Sequence, residues 1–130
     1  MNLFLLDAGG AGLAYLVFGV FIIFIVLAIL AEAAIMLLCK FHLGFKKAFI
    51  DSLIANLISL GVGFIIVETV GSVFDYDVAN LIGLFGITVV VEGICLYLLN
   101  RSKPFGRLAL TTVAMNVFTY IILGLMTLNQ

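Results

Sequence analysis

Charge is nearly absent from this chain, and its positive part is confined to two short stretches. Only 10% of the 130 residues are Asp, Glu, Lys or Arg, against roughly 25% in an ordinary soluble domain. So little charge excludes a well-solvated monomer in water. Six basic residues are also too few for a nucleic-acid face, which must neutralise a run of phosphates. Histidine occurs once, as His42, and cysteine twice, as Cys39 and Cys95. With no paired spacing among them, a disulfide framework, a Cys/His metal site and bis-histidine haem ligation are all excluded. No cofactor is expected. No nucleophile stands beside a base and no glycine-rich loop could cradle a phosphate, so enzymatic activity is not expected either. No basic residue precedes the first apolar run, so the N-terminal stretch does not read as a cleaved signal peptide.

What the chain has instead is hydrophobic length. Apolar residues make up 65% of it, and the mean hydropathy is +1.39. Runs of about 20 apolar residues match a hydrocarbon layer of roughly 30 Å and cannot be buried in so small a soluble core. The fold class is therefore an all-α integral membrane protein with four transmembrane helices. The expected spans are Ala11 to Leu38, Ala48 to Val70, Val78 to Leu99 and Leu108 to Leu128. Asp77 is a candidate N-cap for the third, and Pro104 stands where a proline costs the fourth no hydrogen bond. Met1 to Gly12 reads as a short interfacial segment followed by a flexible break at Asp7-Ala-Gly-Gly-Ala-Gly.

The six basic residues fall into two groups, Lys40, Lys46 and Lys47, then Arg101, Lys103 and Arg107. Basic loops stay in the cytoplasm, so the expected topology is N-out and C-out in a cytoplasmic membrane of bacterial type, with Asp75, Tyr76 and Asp77 in an outer turn. The Asn-Arg-Ser sequon at Asn100 then never meets a glycosylating enzyme. His42 is expected to be solvated, and Asp51 to pair with Lys47 four residues earlier.

An offset of 60 residues superimposes Glu32 on Glu92, Phe45 on Phe105, Lys47 on Arg107, Ser52 on Thr112, Asn56 on Asn116 and Ser59 on Thr119. The chain thus reads as one transmembrane domain of two tandem hairpins, about 11–70 and 78–128, related by a parallel pseudo-twofold axis. Counted from the basic residues at 1.5 Å per residue, Glu32, Asn56, Glu92 and Asn116 all lie roughly 12 to 14 Å below one interface. They form the candidate intramembrane site, flanked by a stripe of Ser52, Ser59, Thr112 and Thr119. An ionised carboxylate at that depth costs several kcal/mol. A neutral glutamic acid bonded to an asparagine amide avoids that cost and clamps two helices together.

Two functions are compatible with this pattern. The leading expectation is a scaffold or accessory subunit of a larger membrane assembly, its hairpins held by Glu–Asn clamps. The alternative is a proton-linked or cation transporter in which the paired glutamates share a proton. Expected partners are the lipid bilayer and either a larger membrane complex or further copies of the chain.

Overall fold

The computed structural model describes residues 3–70 and 78–127, and their regular structure is entirely helical. The helices are α1 (Leu3–Leu38), α2 (Phe45–Val70), α3 (Val78–Leu99) and α4 (Phe105–Thr127). All four are long and apolar enough to cross a membrane. They pack cyclically, α1 on α2, α2 on α3, α3 on α4 and α4 on α1. A closed square of this kind gives every helix two neighbours and one inward stripe. Asp75, Tyr76 and Asp77, with the outer turn and the N-cap expected there, lie outside the described residues.

Three boundaries differ from the sequence expectation. First, α1 has no break at Gly9, Gly10 and Gly12; it begins at Leu3 and runs unbroken for 36 residues, about 54 Å. Each glycine costs a helix only about 1 kcal/mol, and a helix already nucleated downstream extends through them residue by residue. Second, α2 and α4 each start three residues before the expected point, at Phe45 and Phe105. The carbonyls of Gly44 and Pro104 accept the first helical bonds, from Ala48 N at 3.2 Å and Leu108 N at 3.1 Å. Third, Lys46, Lys47 and Arg107 consequently stand in first helical turns rather than in loops. Cations at a helix N-terminus oppose the macrodipole by roughly 0.3 to 1 kcal/mol each, so these residues are not there to stabilise the helices.

The turn from α1 to α2 is built with care. Phe41 N bonds to Met36 O at 2.8 Å and Lys40 N to Leu37 O at 2.9 Å, the two bonds of a Schellman C-cap. The cap requires a left-handed residue at Lys40, whose φ is 52°, a conformation that favours glycine. Phe41 and Met36 are both fully buried, supplying the apolar contact that accompanies such caps.

Burial is inverted relative to a soluble bundle. The buried set includes Glu32, Asp51, Ser52, Glu92, Asn100, Thr111, Thr112 and Asn116. Large apolar side chains such as Phe18, Ile23, Phe64, Ile82, Leu110 and Ile121 are more than half exposed. Burial is also uneven along the axis. Among the described residues, every buried one falls within 29–55 or 92–116, the ends of the helices nearest the two basic turns. Toward the other end, α3 and α4 are joined by Thr88 Oγ1 and Tyr120 Oη at 2.9 Å and by the edge-to-face rings of Phe85 and Tyr120.

Candidate functional site: a buried cluster of acids and asparagines

Four helices each contribute one polar residue to the centre of the bundle. On the α1–α2 side, Glu32 Oε2 accepts from Ser52 Oγ at 2.8 Å and from Asn56 Nδ2. On the α3–α4 side, Asn116 Nδ2 donates to Glu92 Oε2 at 2.7 Å. The two asparagines are held alike: each spends its other N–H on the carbonyl one turn back, Asn56 on Ser52 O and Asn116 on Thr112 O, both at 3.0 Å. That second bond fixes the amide rotamer, so the first can point only at the acid. Helical periodicity explains the placement, since Ser52 and Asn56 differ by four residues and share one face.

These pairs are not isolated from each other. Glu32 and Glu92 lie near enough for their charges to interact across the bundle, while Thr119 of α4 donates to Met115 O of its own helix at 3.3 Å. The centre is thus one shared site with two carboxyls, drawn from all four helices. Of the flanking stripe, Ser52 joins directly. Thr112 is also buried, but its hydroxyl bonds to Leu108 O of its own helix at 3.0 Å, as threonines in helices often do. Ser59 is half buried and stands outside the hydrogen-bonded cluster.

A second cluster, between the first and the basic turns, departs from expectation. Asp51 is fully buried rather than interfacial. It does pair with Lys47, at 2.6 Å from Oδ1, but its other oxygen accepts from His42 Nε2 at 2.9 Å and Asn100 Nδ2 at 2.7 Å. His42 is 6% exposed and its ring meets Phe41 edge to face, so it is not the solvated loop residue expected. Burial pushes the His42 imidazole below its usual range, with the Asp51 bond opposing. The neutral ring therefore carries its proton on Nε2. Asn100 repeats the arrangement of the other two asparagines, with its second N–H on Leu96 O at 3.2 Å. Three acids are accordingly clamped by three asparagines of identical construction, and this third clamp ties α3 to α2.

The basic residues also do more than line a surface. Lys103 Nζ donates to Phe41 O and sits over the Phe41 ring at 5.2 Å. Arg107 Nη1 approaches Lys40 O at 3.5 Å. Cations from the second turn thereby cap carbonyls at the C-terminal end of α1, where the helix dipole favours positive charge. Lys40, Lys46 and Arg101 point outward and are exposed.

Every buried side-chain nitrogen and oxygen among the described residues has a hydrogen-bond partner. No three of His, Cys, Asp and Glu converge as metal ligands among those residues. What the arrangement can do is hold four apolar helices in one register and keep two buried carboxyls within electrostatic reach of each other. No family model matches the chain, and no curated protein or solved structure matches it.

Proposed function

We propose that the chain is an integral membrane protein of four spans that acts, without enzymatic activity, as a scaffold or accessory subunit of a larger membrane assembly. The observation that carries this reading is the inverted burial: the buried polar side chains bond to one another and to helix carbonyls, while the exposed flanks of all four helices are apolar. In lipid such flanks are equally suited to acyl chains and to neighbouring protein helices. A core whose polar groups are all satisfied supports a rigid role, because opening it would strand several donors and acceptors in hydrocarbon.

The positive-inside rule places both basic turns in the cytoplasm of a bacterial-type inner membrane. The engagement of Asn100 Nδ2 with Asp51 supports that side, since a glycan there would sever the bond. The matched Glu–Asn spacing, 24 residues in each hairpin, supports two tandem copies of one hairpin in parallel orientation. Native mass spectrometry of the tagged chain, released in a mild detergent, tests the role. A distinct protein at fixed stoichiometry is the expected result, and a lone chain or pure homo-oligomer overturns the subunit assignment.

A second reading, a proton-linked or cation transporter, is favoured by one specific observation, two buried carboxyls, Glu32 and Glu92, within electrostatic reach of each other. Acids that interact in this way titrate in coupled steps. Under this reading Glu32→Gln and Glu92→Gln fold normally and abolish flux in proteoliposomes; unchanged flux removes it.

A further inference from the structure

The α3–α4 hairpin has a groove on its outer side that the α1–α2 hairpin fills. It encloses about 590 Å³ and is lined by Val90, Gly93, Ile94, Tyr97, Phe105 and Ala109, among others. That volume lies within the usual range of small-molecule sites. Two small residues create it. Gly93 leaves the wall of α4 open down to Thr112, and Ala109 lines the same groove with a single methyl. Sixty residues earlier the corresponding position is Phe49, half buried against the core with its ring 6.0 Å from that of Phe45.

The groove has a direction. Tyr97 and Phe105 stand at its end nearest the basic turns, and Val89 lies eight residues up α3, about 12 Å away. That depth covers most of one leaflet of a hydrocarbon layer roughly 30 Å thick. Arg101 follows Tyr97 by one helical turn, is exposed, and makes no hydrogen bond or ion pair among the described residues. Around that mouth the end of the bundle carries all six basic residues, and the one acid near them, Asp51, is buried and paired. An apolar channel of acyl length that opens on unpaired positive charge complements a molecule with a hydrocarbon tail and an anionic head.

We propose that the groove between α3 and α4 binds one acyl chain of an anionic phospholipid, with Arg101 holding the headgroup phosphate at its mouth. A zwitterionic lipid offers the same tail but no net charge to the basic end, so the site discriminates by headgroup. The hairpins are unequal in this respect: one presents a filled flank and the other a lipid seat. The inference rests on the membrane placement proposed above.

The test uses the full chain in a mild detergent, mixed with equal amounts of phosphatidylglycerol and phosphatidylcholine of matched chains and read by native mass spectrometry. The expected result is one retained lipid per chain, enriched in phosphatidylglycerol. Ala109→Phe, which copies the arrangement of the other hairpin, removes that lipid. Arg101→Gln keeps a lipid but lowers the preference for phosphatidylglycerol about fivefold, the effect of one basic residue near an anionic surface. Phe49→Ala opens the corresponding place and adds a second lipid. Circular dichroism checks that Ala109→Phe folds; if it does not, the Arg101→Gln ratio and the Phe49→Ala gain decide. Full retention by folded Ala109→Phe, no headgroup preference in the unaltered chain, or a dimer that Ala109→Phe dissociates each overturns the lipid site. Recovery of the chain in water without detergent overturns the membrane placement itself.

Discussion

In α1 and α2, Glu32 takes bonds from both Ser52 and Asn56; in α3 and α4, Glu92 takes one from Asn116 while Thr112 turns away to its own helix. Nearer the turns the hairpins diverge completely. Where the first has His42, Asp51 and Phe49, positions sixty residues on hold Ser102, Thr111 and Ala109. Two identical hairpins would make every contact between them twice. Here Asp51 with Asn100, and Lys103 with Phe41 O, occur once. The lesson is a division of labour: the matched Glu–Asn clamps hold each hairpin together, and the strongest side-chain ties from one hairpin to the other come from positions that differ, with Arg107 on Lys40 O as the longer exception.

The largest test of that division is Asp51→Ala against Thr111→Ala. Removing Asp51 takes the acceptor from the buried His42 and from one Asn100 N–H while the half-exposed Lys47 turns to water, and two buried donors left without that acceptor cost about 2 kcal/mol or more. Thr111 gives up one bond to Arg107 O, worth about 1 kcal/mol. Chemical unfolding in detergent micelles measures both, and equal losses would break the comparison.

Next come the central clamps. Asn56→Leu and Asn116→Leu should each lose roughly 0.6 to 2 kcal/mol, the measured worth of hydrogen bonds between helices in a membrane. Glu32→Leu should lose more than Glu92→Leu, because it removes the acceptor of two hydrogen bonds between helices instead of one. The opposite order would show that the hairpins are weighted the other way.

These two clusters differ in how readable they were. Glu32 and Glu92 stand out because an acid inside an apolar run has no bland explanation, and counting from the basic residues fixes one depth for both. Their asparagines follow from helical spacing. Asp51 was legible only as the partner of Lys47, since an acid four residues from a lysine at the edge of a span is ordinary. His42 and Asn100 lie in turns, where polarity carries no signal. His42 reaches Asp51 through the fold of the α1–α2 turn, and only the packing of α2 against α3 brings Asn100 there, a neighbour that no local pattern encodes. The four helices were readable because length and hydropathy suffice. The ends at Leu38 and Val70 and both bounds of α3 were also readable, but the starts of α2 and α4 were not, because Gly44 and Pro104 serve as the first carbonyl acceptors of their helices while looking, in sequence, like the interiors of loops.

A smaller effect is expected at Lys40. Its counterpart at the end of α3 is Asn100, outside any left-handed turn, so only the first hairpin carries a side chain in that conformation. Lys40→Gly relieves the strain at some cost in unfolded-chain entropy, for a net gain of up to about 1 kcal/mol. A loss on thermal unfolding would mean that the Lys40 side chain contributes something its exposure conceals.

The smallest effect separates the hairpins by pH. Burial holds folded His42 below its ordinary value of 6.5, so as pH falls the unfolded chain takes up the proton first. Stability is therefore full above about 6.5 and declines as the pH drops below it. His42→Gln should flatten the melting temperature across pH 5 to 8, and Ser102→Ala should leave its slope as it is. A slope that persists without His42 would assign it to other groups.

The partners of Asp51 also set an order of events during synthesis. His42 and Lys47 precede it in the chain, whereas Asn100 follows by 49 residues, roughly 2 to 10 s at the usual pace of translation. In the membrane placement proposed above, Asp51 is therefore made with Lys47 already present to offset its charge and His42 to donate a hydrogen bond. The bond that joins the second hairpin to it waits for Asn100, so this tie between α2 and the end of α3 forms only after most of the chain has been made.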